Sequence, residues 1–301
     1  MQNPIFSQNS NFATAVKEKT PSGYPTMPGY NVSDSSSYSE AHTQNREETY
    51  TRVQDHAQTM GQYYAPERAN AQADRLTIDD VLIKTGFVFA ILLVASAVSW
   101  FFAFNSDKGT LLLTVGVVGG LVLGLMNSFK KEPSPILISE YAVFEGLAIG
   151  GISAIFEKIF PGIVASAVLA TFVTFLICLF LYKSKIVRVN GTFSKILIIG
   201  IVSYLVFAVV SFILSMTGVL GGDGLRGITV FGLPIGVVIG LIAVLLASMS
   251  LISDFDFINK GIESGISSKY AWTAAFGLVV TLVWLYMEIL RLISYFLDNN
   301  N

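Results

Sequence analysis

The chain has 301 residues, of which 52% are apolar and only 13% are charged, and its formal net charge is −2. Soluble domains carry about 25% charged residues, so this composition indicates a membrane protein. The small net charge gives no reason to expect a nucleic acid partner. The single cysteine, Cys178, excludes an internal disulfide and a cysteine metal cluster.

The first 76 residues differ in composition from everything after them. They are rich in Ser, Asn, Gln and Thr, contain five of the nine prolines and show no sustained apolar period. Such a segment cannot bury enough apolar surface to offset the entropy of folding. We therefore predict a disordered tail over residues 1–76 and a membrane domain over residues 77–301.

Seven apolar runs follow, beginning just after Thr77, which with the acids that come next predicts the N-cap of the first membrane helix. Each run is near the length of about 20 residues that spans a bilayer. Gly116, Gly120 and Gly124 recur every four residues in the second run and predict close helix packing. The sequence thus predicts an all-α integral membrane protein, a bundle of seven transmembrane helices, with runs at 82–104, 110–128, 136–156, 160–182, 195–216, 229–252 and 271–297.

The flanking charges predict the orientation of the bundle. Eleven lysines and arginines flank the runs on one side and four on the other. Basic residues stay on the cytoplasmic side of a membrane. We therefore expect a multi-pass protein of the plasma (inner) membrane, with the N-terminus in the cytoplasm and the C-terminus outside.

Four acids lie in or near the predicted hydrocarbon region: Glu145 in the third run, Asp254 and Asp256 at the end of the sixth, and Glu288 inside the seventh. A charged group at the centre of a membrane costs about 3 kcal/mol or more, so such residues indicate function. Asp254 and Asp256 are two positions apart and point about 200° apart on a helix, so they cannot share one site.

Each of these acids also has a purely structural interpretation. Glu288 can form a salt bridge with Arg291, three residues further on the same helix face. Asp254 can be a water-exposed residue at the end of its helix. Glu145, which precedes several glycines and alanines, is either a packed acid or a third member of a site with Asp254 and Glu288.

Nothing in the membrane part indicates catalysis. Both histidines, His42 and His56, lie in the tail, which excludes a Ser–His pair or a histidine zinc site between the helices. An intramembrane aspartyl protease would need Asp254 and Glu288 to face each other. We expect a protein that is not an enzyme and has no cofactor.

The stretch Leu251–Gly261 (LISDFDFINKG), followed by Leu285–Leu290 (LYMEIL), resembles the paired acidic motifs of the Bax inhibitor / YccA family, also called the transmembrane Bax inhibitor motif family, in its bacterial members. The resemblance covers residues 77–301. It implies seven membrane helices, with a hydrogen-bonded pair of carboxylates, Asp254 and Glu288, between helices six and seven. It also implies a pH-sensitive calcium leak channel in which that pair gates the path and binds the permeant ion transiently.

Physical chemistry agrees with that reading of the pair. Two carboxylates a few ångströms apart in a low-dielectric bundle cannot both ionise easily and would share a proton. Calcium prefers oxygen ligands, which carboxylates and backbone carbonyls supply. The seventh-helix acid of the family is usually Asp, whereas Glu288 is one methylene longer. Members of the family can also use a basic residue on the second helix as a latch for the acidic pair. That helix has no Lys or Arg here, so either Lys84 or Arg291 takes this role or the latch is absent.

Two other functions remain open from the sequence. The protein can be a membrane regulator that binds and modulates other membrane proteins, such as a quality-control protease, or a proton-coupled solute transporter. The expected partners are therefore the lipid bilayer, calcium ions and, under the first alternative, other membrane proteins.

Overall fold

The computed structural model describes residues 75–106, 108–217, 224–230 and 233–298. Nearly all of the predicted tail lies outside them, so its disorder stays a prediction. Within the described residues, seven helices are long and apolar enough to cross a membrane, which confirms the all-α, seven-span prediction. They are α1 (Ile78–Asn105), α2 (Lys108–Phe129), α3 (Pro135–Ile159), α4 (Ile163–Lys183), α5 (Gly191–Met216), α6 (Ile235–Glu263) and α7 (Ala271–Asp298).

Helix α1 begins where the sequence predicted. The Thr77 hydroxyl oxygen accepts a hydrogen bond from the Asp80 amide at 3.1 Å, and Asp79 and Asp80 fill the first turn. The negative side chains complement the positive end of the helix dipole. Thr77 is therefore the N-cap of the first membrane helix, as predicted.

The chain just before α1 joins the connection between α6 and α7. The Leu76 amide donates to the Ile266 carbonyl at 2.8 Å, and Arg75 forms an antiparallel bridge with Ser267. Lys84 Nζ donates to the Ser268 carbonyl oxygen at 2.9 Å. The last two residues of the predicted tail thus belong to the packed membrane domain.

Helix α6 differs in its boundaries from the sixth apolar run. A short antiparallel ladder, Thr229–Val230 with Leu233–Pro234, takes up the first residues of the run, and Pro234 becomes the helix N-cap. At the other end the helix continues to Glu263. An i,i+4 ion pair between Asp256 and Lys260, at 2.5 Å, stabilises this polar extension. Asp254 consequently lies well inside the helix, nine residues before its end.

Small residues bring α1, α2 and α3 close together. A β-carbon added to Gly116 on α2 would lie 2.5 Å from the Ala148 amide of α3. One added to Gly146 or Gly150 on α3 would collide with the α1 carbonyls of Leu92 and Ser96. No larger residue fits such contacts. The close packing predicted for the second run is therefore confirmed.

Helix α7 lies at the centre of the bundle and packs on α6, α1 and α4. Ala275, Val279, Leu285 and Leu290 on this helix have no exposed surface. Helix α5, in contrast, is the least buried span and packs mainly on α6 and on the 3-10 helix Gly224–Gly227. A polar group on α7 therefore needs partners from the surrounding helices, because it has no direct access to bulk water.

Candidate functional site

The buried carboxylate of Glu288 on α7 is the centre of a polar cluster. Glu288 has only 2% of its surface exposed. Its Oε1 accepts hydrogen bonds from the Tyr204 hydroxyl and from Arg291 Nη1, the latter at 2.8 Å. Its Oε2 accepts from Arg226 Nη1 at 3.3 Å, and Arg226 Nη2 donates to the Tyr204 oxygen at 2.6 Å. We call Tyr204, Arg226, Glu288 and Arg291 the Glu288 cluster.

Three separate elements build this cluster. Tyr204 comes from α5, and Arg226 comes from the 3-10 helix in the connection between α5 and α6. The Leu225 amide donates to Ser211 Oγ at 3.2 Å, which ties that 3-10 helix to α5. Arg226 is therefore carried into the bundle by a connecting segment, and its residue exposure is only 8%.

The cluster carries one more positive than negative charge. Burial opposes ionisation of Arg226, but the Glu288 carboxylate outweighs it, and the pKa of Arg226 lies above its ordinary value. Arg226 also lies beside the Tyr204 ring, 5.7 Å from its centroid, where a guanidinium ion and an aromatic face attract each other. A carboxylate held by two arginines and a hydroxyl is fully compensated inside the membrane.

The salt bridge between Glu288 and Arg291 that the spacing suggested is thus present. Arg226 and Tyr204 were missed from the sequence, since Arg226 was counted among the external loop charges. One feature of the sequence could have indicated the position of Arg226. It is an arginine shortly before a membrane span, in a connection long enough to fold back into the bundle.

Asp254 on α6 has a different environment. Its Oδ2 accepts a hydrogen bond from Thr281 Oγ1 of α7 at 2.6 Å, and no cation pairs with it among the described residues. Asp256 instead pairs with Lys260, whose side chain is 64% exposed. The expectation that Asp254 and Asp256 point to different faces is confirmed.

The expected hydrogen-bonded pair of Asp254 and Glu288 is not formed among the described residues. Thr281, which holds Asp254, and Glu288 are seven residues apart on α7. Seven residues are nearly two full turns, so both lie on the same helix face about 10 Å apart. The physical reason is this offset along α7, together with the prior engagement of Glu288 by two arginines. The facing acids that an aspartyl protease would need are therefore absent from the described structure.

The two carboxylates define two polar levels along α7. Thr281 lies ten residues after the start of α7 and Glu288 ten residues before its end, so the levels flank the helix midpoint. Leu285, between them on α7, and Leu251, one turn before Asp254 on α6, have no exposed surface. Leu285 belongs to the same buried apolar cluster as Ala247 of α6, and Leu251 to the same cluster as Leu278 of α7, so the α6–α7 interface beside the acids is largely apolar.

Glu145 lies elsewhere, between α2 and α3. A β-carbon added to Gly120 of α2 would lie 2.7 Å from Glu145 Oε2, so this glycine makes room for the carboxylate. The Tyr141 side chain, one turn earlier on α3, lies beside Glu145. Glu145 is thus a packed acid at its own interface. Lys84 binds the Ser268 carbonyl rather than an acid, so only Arg291 of the two latch candidates contacts Glu288.

Calcium ligation by these acids would involve one carboxylate at a time. No group of three or more His, Cys, Asp or Glu side chains converges within the described part of the chain.

Comparison with known proteins places this geometry in context. A family model described as Bax inhibitor 1 like matches residues 3–298, which is nearly the whole chain. No curated protein sequence matches the chain.

Proposed function

Because the chain belongs to the Bax inhibitor 1 like family, we propose that it is a pH-sensitive calcium leak channel of the plasma membrane, in which Asp254 and Glu288 act at two separate levels of one path. The observation that carries the proposal is the pair of carboxylates held at two levels of α7, Asp254 by Thr281 and Glu288 by Arg291. Carboxylates in a spanning path select cations and can bind calcium through oxygen.

The described arrangement corresponds to a closed path. Arg226 and Arg291 neutralise Glu288, and their charges repel a calcium ion. We place an apolar constriction at the layer of Leu251 and Leu285, which are fully buried. Hydrophobic constrictions block ions because they exclude water. Opening requires the arginines to leave Glu288 and water to enter this layer.

Helix α5 and its neighbouring connection are the elements that can make this change. A cavity of about 450 Å³ lies between α5 and α6 and reaches Tyr204. Only Leu197 and Ser211 of α5 are buried, so few packing contacts oppose its displacement. An outward movement of α5 would take Tyr204 away from Glu288 and loosen the segment that carries Arg226.

Proton sensitivity is assigned to Asp254. An ionised carboxylate that is half-buried and has no cation beside it is poorly compensated, and a proton would neutralise Asp254. Glu288 is instead paired with two arginines. Protonation of Asp254 therefore changes the charge of one level of the path while the Glu288 cluster sets whether the other is closed.

The test is calcium flux into liposomes that contain only the purified protein, measured across pH for Asp254→Asn, Glu288→Gln and the double variant. Asp254→Asn should flatten the pH dependence, and Glu288→Gln should raise the flux by weakening the hold of the arginines. Because the two sites lie about 10 Å apart, the free-energy effects should add within about 0.5 kcal/mol.

Glu140→Gln, at an exposed position of α3, is the matched control and should leave flux unchanged. Strongly non-additive effects would contradict two separate levels and favour a shared proton. Flux that requires a partner protein would favour the membrane-regulator alternative, and flux that depends on a solute gradient would favour the transporter alternative.

A further inference from the structure

We infer that the bundle holds one acyl chain of a membrane phospholipid in the cavity between α1 and α4. This cavity has a volume of about 750 Å³, within the range of small-molecule sites in proteins. Helices α1 and α4 form its sides, and α3 and α7 form its floor. The site is separate from the Glu288 cluster and does not depend on the channel function.

The length of the cavity matches one leaflet. Its lining runs from Phe89 to Trp100 on α1 and from Val164 to Phe175 on α4, which is eleven residues of rise on each side. Eleven residues correspond to about 16 Å of helix, close to half of the roughly 30 Å hydrocarbon core. The cavity therefore extends from near the bilayer midplane to the side on which α1 ends and α4 begins.

The chemistry of the lining favours an apolar occupant. The lining contains four hydroxyl groups, and each already makes one hydrogen bond. Ser96 donates to the Gly146 carbonyl at 3.0 Å and Thr171 to the Ala167 carbonyl at 2.7 Å. Ser153 and Tyr286 bond to each other at 2.7 Å. A polar ligand would find few remaining hydrogen-bonding sites to replace its hydration, whereas a hydrocarbon chain needs none.

The cavity is also accessible from the bilayer. Leu93, Val168 and Phe172 in its lining are each more than half exposed, so its side faces the lipid. Beyond its end lie one acid and one base, Glu157 and Lys158. Because these two charges are opposite, they do not favour a headgroup of either charge. The protein therefore recognises the acyl chain of the lipid and not its headgroup.

The occupant contacts the helix that carries Glu288. Leu282, Val283 and Tyr286 of α7 line the cavity, and Tyr286 is two residues before Glu288. The Ser153–Tyr286 bond also joins α3 to α7 at the floor. An acyl chain in the cavity would fill the volume beside α7 and support the position of α7 between α1 and α4.

The experiment is native mass spectrometry of the detergent-purified full chain after addition of 1-palmitoyl-2-oleoyl phosphatidylcholine or the phosphatidylglycerol with the same chains. One retained lipid per protein, with both headgroups, is expected. Ala97→Trp and Val168→Trp fill the cavity from opposite walls and should each lower retention at least tenfold. Val202→Trp on the exposed face of α5 is the matched control and should retain the lipid.

Several results would overturn the assignment. These are a wild-type protein that retains no lipid, retention of one headgroup only, or equal retention in the cavity variants and the control. Retention of free oleate in place of phospholipid would show that the occupant is a fatty acid and not a membrane lipid. Thermal unfolding of both cavity variants identifies a variant that has not folded, and the other then decides.

Discussion

Replacement of Arg226 by Gln tests whether the connection between α5 and α6 keeps the path closed. In the described structure Arg226 Nη1 lies 3.3 Å from Glu288 Oε2 and Nη2 lies 2.6 Å from the Tyr204 oxygen. The Arg226 side chain has 10% of its surface exposed and that of Glu288 has 3%, so solvent screens the ion pair only weakly. The substitution removes both contacts and one of the two cations.

The expected magnitude follows from these contacts. Removal of one partner from a buried ion pair costs about 3–5 kcal/mol when the other charge is left unpaired. Here Arg291 and Tyr204 still contact Glu288 after the substitution. The closed state should therefore lose about 2 kcal/mol, the value of one hydrogen bond to a charged group. If these contacts exist only in the closed state, the opening equilibrium rises by about 30-fold.

The assay is the initial rate of calcium entry into liposomes at constant pH, with equal amounts of incorporated protein. Arg188→Gln removes the same charge from an exposed position between α4 and α5 and should leave the rate unchanged. A rate for Arg226→Gln within twofold of the wild type would refute the reasoning. If the rate of calcium entry is unchanged but the unfolding temperature of Arg226→Gln is lower, Arg226 stabilises the fold and does not control the path.

Three further predictions follow from other contacts. Thr281→Val removes the donor to a half-buried carboxylate and should lower the free energy of unfolding in detergent by about 1.5–3 kcal/mol, whereas Thr281→Ser should not. Gly120→Ala places a β-carbon against the Glu145 carboxylate and should lower the free energy of unfolding by about 1–3 kcal/mol. Gly86→Ala, where a β-carbon would have nothing within 4 Å, should be neutral or slightly stabilising. Equal effects of the two substitutions would contradict the close packing of Gly120 on Glu145. In a background without the native cysteine, an impermeant thiol reagent should label Ser106→Cys but not Arg188→Cys in intact cells, and the reverse pattern would invert the proposed orientation.

The fold was largely predictable because hydrocarbon imposes a simple requirement on the chain. Each span needs about 20 apolar residues with all backbone groups bonded internally, and only a helix provides this in an open chain. The limits of α6 were less predictable. Polarity suggests that the sixth helix ends near Asp254, but the helix continues through Asp254 and Asp256 to Glu263, and Pro234 starts it later than the apolar run suggests.

The candidate site was predictable in its acids and not in their partners. An acid inside an apolar run is visible from composition, and Arg291 was visible from its three-residue spacing. Arg226 and Tyr204 reach Glu288 from 62 and 84 positions away in the chain. Such contacts depend on how α5 and its connection fold against α7. The two-turn offset between Thr281 and Glu288 likewise follows from the register of α6 against α7, which no local pattern specifies.

The most direct test of the channel proposal is calcium flux in liposomes that contain only the purified wild-type chain, recorded at a series of pH values. The account predicts calcium entry above that of protein-free liposomes, a rate that changes with pH, and loss of that pH dependence in Asp254→Asn. Entry no faster than in protein-free liposomes at every pH would contradict the channel proposal.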